Sequence, residues 1–236
     1  MSNVLVTGGA GFIGSHIAER ALELGNNVYI IDDLSSGKID NIPKGAHFIK
    51  ADINNFNWET ILFDIDYIIH CAAFVSAPES FEKFEICYQT NVLATWKLLQ
   101  AAIKYKIKKI LFCSSSAVYA DIKDPNKETD YPCPANPYGL TKLDVEYLLN
   151  MMYIEYGLKY TAFRYFNVYG PKQDVNSIYS AVIPIFITRA LDNKDLIIYG
   201  TGQQRRDFIY VKDVAKTVLS FMNNDIVGYF NLGTGK

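Results

Sequence analysis

Val4-Leu5-Val6-Thr7-Gly8-Gly9-Ala10-Gly11-Phe12-Ile13-Gly14 decides how this chain folds. A short apolar run breaks into glycines, and the glycines open a helical pattern over Gly11–Leu24. The spacing satisfies GxGxxG from Gly9 and GxxGxxG from Gly8. Glycine permits the tight turn and lets the backbone approach a diphosphate, whose charge then faces the amides of a helix N-terminus. Eighteen residues beyond Gly14, a second strand, Val28–Asp32, ends on an acid. A carboxylate there accepts from both ribose hydroxyls and repels a 2′-phosphate, which favours NAD over NADP. Asp52-Ile53, after a third strand at His47–Lys50, either meets the adenine or simply closes a turn.

Outward from this stretch, short β-branched runs alternate with longer helical patterns, as in βαβ units around a parallel sheet. The pattern predicts further strands at Tyr67–Cys71, Ile110–Ser114 and Tyr160–Arg164, and helices at Trp58–Leu62, Ile86–Lys104 and Pro137–Tyr156. After Arg164 the rhythm changes. A polar stretch from Asn167 to Ser177 leads to an apolar helix at Val182–Leu191, a short strand at Leu196–Tyr199, the loop Gly200–Arg206, a helix from Asp213 and a final strand before Gly233. The expected architecture is α/β, a doubly wound parallel sheet with a smaller, C-terminally incomplete substrate lobe over the carboxyl ends of the strands. Its expected division is a cofactor domain at 1–166 and a partial substrate lobe at 167–236, interleaved with the first.

Composition narrows the class. The chain has 236 residues and a net charge of −2, with half of its residues hydrophobic and a fifth charged, so it reads as soluble and globular without a basic footprint for nucleic acid. Lys104, Lys106, Lys108 and Lys109 read as a solvated helix end. Cys71, Cys87, Cys113 and Cys133 show no CxxC spacing and read as reduced, mostly buried thiols. His16, His47 and His70 match no ligand spacing, so no metal is expected. No run reaches the length of a membrane span, and the first strand begins at once, leaving no room for a signal peptide. The expected address is the cytoplasm.

The chemistry gathers at Tyr138-Gly139-Leu140-Thr141-Lys142, a YxxxK that puts phenol and ammonium one turn apart on a helix. With 17 tyrosines such pairs arise by chance, and Tyr105/Lys109 and Tyr119/Lys123 share the spacing. Context selects Tyr138: Asn136 is a good N-cap and Pro137 suits the first helical position, so the phenol falls in the first turn. There the helix dipole, Lys142 and a nearby nicotinium ring are expected to lower its pKa from about 10 toward neutrality. Upstream, Ser114, Ser115 and Ser116 end the fifth strand, and one of them can share a hydrogen bond with the substrate oxygen that Tyr138 deprotonates.

Together these motifs resemble the extended short-chain dehydrogenase/reductase family, and within it the NAD-dependent sugar epimerases and dehydratases, with UDP-glucose 4-epimerases nearest in look. The resemblance spans Val4 to Gly235. It rests on Thr7–Gly14, Asp32-Asp33-Leu34-Ser35-Ser36-Gly37, His70-Cys71-Ala72-Ala73, Asn91-Val92, Ser114–Tyr119, Tyr138–Lys142, Arg164–Gly170 and Arg206–Val211. It implies a Rossmann fold, with Tyr138 as base and acid, Lys142 as its electrostatic and ribose-holding partner, and Ser115 as the second hydroxyl. It implies a cofactor site of Gly8, Gly11, Phe12, Ile13, Gly14, Asp32, Asp33, Leu34, Ser35, Ser36, Gly37, Asp52, Ile53, Ala72 and Ala73. Asn91 would hold the helix beneath the nicotinamide, and Phe166 would face that ring. On the substrate side, Asn167 and Arg206 would take the diphosphate, and Ala181, Val182, Ile183, Ile197 and Tyr199 would frame the uracil.

The implied reaction is NAD-dependent epimerisation at C4 of a UDP-hexose, plain or N-acetylated, through a transient 4-keto sugar. The alternatives are a 4,6-dehydratase or reductase of the same family and a non-catalytic NAD-binding protein. Dehydratases of the family place acids in the two positions after the catalytic hydroxyl, where this chain has Ser116 and Ala117. Two further departures stand out. Ala120 replaces a usual glycine, and family members continue for several tens of residues past Gly235, which implies a weaker hold on sugar than on NAD. The UDP-sugar is the expected partner, and the helices near 86–104 and 137–156 are candidates for a homodimer contact.

Overall fold

The computed structural model describes residues 1–119, 125–174 and 182–235. Its sheet has seven parallel strands, seen across the sheet in the order β3 (His47–Lys50), β2 (Asn27–Asp32), β1 (Asn3–Thr7), β4 (Tyr67–His70), β5 (Lys109–Ser115), β6 (Tyr160–Tyr165), β9 (Gly228–Leu232). The order reverses direction at β1 and β4, so a crevice opens beyond the carboxyl ends of these two strands, where α/β proteins hold ligands. This is a Rossmann-type doubly wound fold.

The central strands are apolar on both sides because helices cover both faces, whereas the edge strand β3 leaves His47 and Lys50 exposed. Leu5, Ile31, Ile68, Ile110 and Phe112 pack with Leu98, Leu99, Val145, Leu149 and Met152 on the face covered by α4 (Ala94–Lys104) and α5 (Pro137–Tyr156). The alternate residues Val4, Val6, Ile30, Ile69, Leu111 and Phe163 pack with Ile17, Ala18, Val214 and Val218. That second face belongs to α1 (Phe12–Glu23) and α7 (Val211–Ser220). Two short strands, β7 (Asn167–Tyr169) and β8 (Phe208–Tyr210), form a separate parallel pair.

Several sequence expectations change. Trp58–Leu62 is not one helix but part of two 3-10 turns, Trp58–Thr60 and Leu62–Asp64, with Trp58 and Leu62 buried. The helix expected from Ile86 begins at Phe84, as α3 (Phe84–Tyr88), after a single turn α2 (Glu79–Glu82). It reaches α4 through a π-helical turn, Gln89–Leu93. Leu196–Tyr199 forms no strand; its residues face solvent, with Ile197 47% and Tyr199 80% exposed, and nothing pairs with their backbone to make a ladder. The apolar helix α6 (Val182–Leu191) has the expected bounds but buries none of its residues.

Lys109 does not belong to a solvated helix end. It opens β5 at 1% exposure, and its ammonium donates to the carbonyls of Phe221, Asn224 and Ile226 and to Asn224 Oδ1. Four oxygens replace its water, though burial still pulls its pKa down to about 8. Of the cysteines, Cys87 and Cys113 are buried, Cys71 is half-buried and Cys133 is exposed, so burial is less general than the sequence suggested.

Candidate active site

The glycine turn closes against the neighbouring strand. Gly8 has φ +70, and a Cβ there would lie 2.7 Å from the amide nitrogen of Ala72. A Cβ on Gly14 would come within 2.2 Å of the Gly8 carbonyl, so α1 begins flush against the turn. Gly11, the N-cap, supplies no side-chain acceptor, which leaves the first-turn amides at Phe12 and Ile13 for an anionic ligand or water. This cradle, which side chains would fill, suits a dinucleotide diphosphate.

Asp32 ends β2 beside it. Its carboxylate accepts from the amides of Ala10 (3.0 Å) and Leu34 (2.8 Å), which fixes its orientation. Burial raises its pKa above the ordinary carboxylate value, and these two hydrogen bonds oppose the rise. Asp33 accepts from the amide and hydroxyl of Ser35, shaping the exposed bend through Leu34, Ser35 and Ser36. Gly37 passes so close to Asp32 that a Cβ would lie 2.8 Å from its Oδ1. Asp52 is an exposed turn residue whose Oδ1 accepts from the Asn54 amide, and Ile53 is buried in the core. The Ile53 side chain packs in the core cluster with Leu5, Ile31 and Trp58.

Beneath Ala72 runs a polar relay that no local spacing announces. The Ala72 amide donates to Thr7 Oγ1, which lies 2.7 Å from His70 Nδ1. His70 Nε2 lies 2.8 Å from Thr95 Oγ1, which donates to the Asn91 carbonyl. Since Thr95 spends its proton on Asn91, Nε2 carries the imidazole hydrogen and Nδ1 accepts. Burial drives the His70 pKa down to about 3, with Lys142 adding to the effect, so the ring stays neutral. The Asn91 side chain is also fully engaged: it accepts from the Phe74 amide and donates to the Phe74 carbonyl and to Thr141 Oγ1. It holds the Ala72–Phe74 loop to α5 rather than reaching into the crevice. Ala72 and Ala73 are half-buried beside it.

Helix α5 starts as the sequence predicts. Asn136 Oδ1 accepts from the Gly139 amide, Pro137 occupies the first turn, and Tyr138 follows. The Tyr138 amide donates to Ser80 Oγ. Its side chain hydrogen-bonds Ser115 at the end of β5, whose Oγ also accepts from the Ala117 amide. Gly139 makes this approach possible, because a Cβ there would lie 2.2 Å from the Ala117 carbonyl. Lys142, one turn on, is buried and donates to the Cys113 carbonyl at 2.8 Å. Its ammonium stands 5.8 Å from the Tyr138 ring centre and 4.9 Å from that of Phe112.

The expected lowering of the Tyr138 pKa is not produced by the protein alone. Burial pushes the phenol up to about 12, against the lowering effect of Ser115. Lys142 is itself pulled down by burial. Positive charge from a bound ligand would oppose the rise that burial imposes on the phenol. The competing Tyr-Lys pairs point elsewhere. Lys109 is spent on carbonyls, Tyr119 donates to Asn231 and accepts from Arg164, and Lys123 lies outside the described residues.

Behind Ser115, Ser114 donates to Glu146 at 2.6 Å, and Glu146 is paired with Arg164 at 2.6 Å. Both charged side chains are 1% exposed, and the guanidinium stacks between the rings of Tyr119 and Tyr229. The Arg164–Glu146 pair locks α5 to β6 under the serine run.

The substrate-side residues are less gathered. Phe166 is half-buried, its amide donating to Leu232. Asn167 spends its amide side chain on the Asp207 carbonyl, leaving only its oxygen unengaged by that bond. Arg206 is exposed and turns back onto the Arg205 carbonyl. Val182 is exposed and Ile183 half-buried on α6, and Ile197 and Tyr199 face solvent; Ala181 lies outside the described residues. Of the residues expected to frame the uracil, Val182, Ile197 and Tyr199 are thus open to solvent and Ile183 is partly covered.

A parallel sheet with a glycine cradle at β1 and a Ser-Tyr-Lys cluster at β5 and α5 defines a nucleotide-dependent redox enzyme of the short-chain class. The chain belongs to the NAD dependent epimerase/dehydratase family, whose model matches residues 4–233. It is 43% identical to a putative UDP-glucose 4-epimerase of Methanocaldococcus jannaschii over 99% of this chain and 77% of that protein. It superposes with a TM-score of 0.96, at 44% identity, on a UDP-N-acetylglucosamine 4-epimerase of Methanobrevibacter ruminantium M1 solved with UDP-N-acetylmuramic acid. That match covers all of this chain and 77% of the other. A UDP-N-acetyl-alpha-D-glucosaminuronate decarboxylase of Bacillus cytotoxicus is 36% identical over 98% of this chain and 74% of its own length. Among the described residues no helix is long and apolar enough to cross a membrane.

Proposed function

We propose that this chain is a UDP-hexose 4-epimerase that takes a plain or N-acetylated hexose. The observation that carries this reading is the meeting of Ser115, Tyr138 and Lys142 beside the glycine cradle, at the carboxyl edge of one sheet. NAD, held by the glycine cradle and Asp32, would supply the reversible hydride acceptor that inversion at C4 requires. Tyr138 removes the proton of the 4-hydroxyl and later restores it, while Ser115 holds the same oxygen. Lys142, anchored on the Cys113 carbonyl, holds the ribose and favours the phenolate. Gly8, Gly11, Gly14, Phe12 and Ile13 receive the diphosphate, and Asp32 the adenosine ribose. On this reading residues 1–166 form the cofactor domain, with 167–236 interleaved as the sugar side. Exposed Ile86 and Leu93, with Tyr147, Met151 and Ile154 on α5, offer the apolar surface for a homodimer.

The family also contains dehydratases and decarboxylases, so the choice rests on which acids stand near the sugar. Ser116 and Ala117 cannot do acid–base work at neutral pH. Glu146, the carboxylate bonded to Ser114, is committed to Arg164. Proton NMR of the products from a panel of UDP-hexoses tests the reading. The C4 epimer with no loss of water or carbon dioxide is expected; a 4-keto-6-deoxy sugar or a pentose overturns it.

A further inference from the structure

Two cysteines with no part in the proposed reaction lie side by side at the carboxyl edge of the sheet. β4 and β5 pair in parallel with Tyr67 opposite Lys109 and His70 opposite Phe112, so the next residues in register are Cys71 and Cys113. Residues in register on neighbouring strands point to the same face, with backbones about 4.7–4.9 Å apart. That separation lies inside the Cα range of roughly 4.4–6.8 Å that disulfides span. The two Sγ atoms stand 3.0 Å apart, both thiols are free, and Cys71 is only half-buried, so the pair is not sealed in the core.

The geometry points to a reversible dithiol–disulfide site at Cys71 and Cys113, oxidised by a hydroperoxide and coupled to the neighbouring cofactor crevice. One sulfur attacks the terminal peroxide oxygen: the O–O bond breaks, an alcohol or water leaves, and a sulfenic acid forms. The other sulfur attacks that sulfenic sulfur: the S–S bond forms, the S–O bond breaks, and hydroxide leaves with the remaining thiol proton as water. The sulfur pair loses two electrons and the peroxide gains them. A thiol reductant reverses the reaction by thiol–disulfide exchange.

The surroundings favour this. Burial raises the Cys113 thiol, but its hydrogen bonds to Cys71 and Tyr165, with the Lys142 charge, outweigh burial and bring it below the ordinary value. Cys71 is pushed up, by its bond to Cys113 first and by burial second. One thiolate held by its neighbour's proton is the reactive state of such a pair. The coupling to the crevice runs through the backbone of the two cysteines: Cys71 directly precedes Ala72, and the Cys113 carbonyl accepts from the Lys142 ammonium. Closing the sulfurs to about 2.05 Å draws both strand ends together beneath those groups.

The inference stands apart from the choice of sugar, because the link and the loss of NAD are both read without substrate. The protein, reduced and then treated with hydrogen peroxide, is to be digested and mapped by mass spectrometry, with bound NAD measured alongside. Expected are a Cys71–Cys113 linked peptide, at least a tenfold loss of NAD affinity and of turnover, recovery with dithiothreitol, and slower oxidation when NAD is present. Cys71→Ser should keep its basal activity and resist peroxide, whereas Cys133→Ser, changed at the exposed thiol, should remain sensitive. Absence of the linked peptide from oxidised wild type overturns the proposal. So does peroxide inactivation of Cys71→Ser at the wild-type rate.

Discussion

Gly139→Ala adds one methyl group at the point where α5 meets the end of β5. The new Cβ would lie 2.2 Å from the Ala117 carbonyl oxygen, where ordinary contact begins near 3.4 Å, and the obstacle is backbone, which cannot rotate aside. The helix start must therefore recede by about 1 Å, although alanine is otherwise the better helix former. Such overpacking costs about 1–3 kcal/mol, and a chain of this size loses about 2–4 °C in Tm for each of them. The larger effect should be on turnover. Tyr138 precedes Gly139 and reaches Ser115, two residues before Ala117, so the displacement falls on the hydrogen bond that joins them. A misplacement of about 1 Å in reacting groups costs on the order of 10²-fold in rate. Turnover of a UDP-hexose, bound NAD and thermal unfolding should be measured on the same preparation. The expected result is a large fall in kcat with a modest fall in Tm and cofactor retained. Wild-type kcat at wild-type Tm would show that the close approach of α5 to β5 does not set the geometry of the site.

Tyr138→Phe should retain the fold and NAD but lower turnover by at least ~10², since only the proton-transfer group is lost; near-normal activity removes Tyr138 from the reaction. Asp32→Ala should weaken NAD binding and narrow the gap to NADP in calorimetry, whereas equal wild-type affinity for the two cofactors defeats the assignment. Arg164→Met leaves Glu146 buried and unpaired and should cost about 3–5 kcal/mol in urea unfolding, while Arg164→Met with Glu146→Leu should regain much of it. A double variant as unstable as the single one refutes that account. Below pH 6.5 the unfolded chain binds a proton that folded His70, held at about 3, refuses, so this site removes stability as pH falls through that window and has no effect above it. His70→Asn should therefore show a shallower loss of stability between about pH 6.5 and 4.5 than wild type, and an unchanged slope argues against a buried neutral ring.

The sequence by itself determined the elements whose signals are local. Glycines at 8, 9, 11 and 14 after an apolar run, Asp32 at the end of the next, and Asn136-Pro137 before Tyr138 each state their own backbone requirement, and the turn, strand end and helix cap all appear where those residues require them. Periodicity placed six strands of the sheet within a residue or two at each end, because buried parallel strands are apolar throughout. It failed at Leu196–Tyr199, where an apolar run met no partner, since a strand exists only when another backbone accepts its hydrogen bonds. It failed at Lys109 too, because lysine is ordinarily exposed, and only the fold could bring three carbonyls and an amide to its ammonium. Tertiary structure alone decided that β9 completes the main sheet beside β6, and that Gly139 lets Tyr138 reach Ser115. It alone placed Cys71 against Cys113, joined His70 to Thr7 and Thr95, and sealed Arg164 with Glu146 between two tyrosine rings. These contacts join residues tens of positions apart. No local spacing encodes them, because they are fixed by strand order, register and the packing of one helix on another.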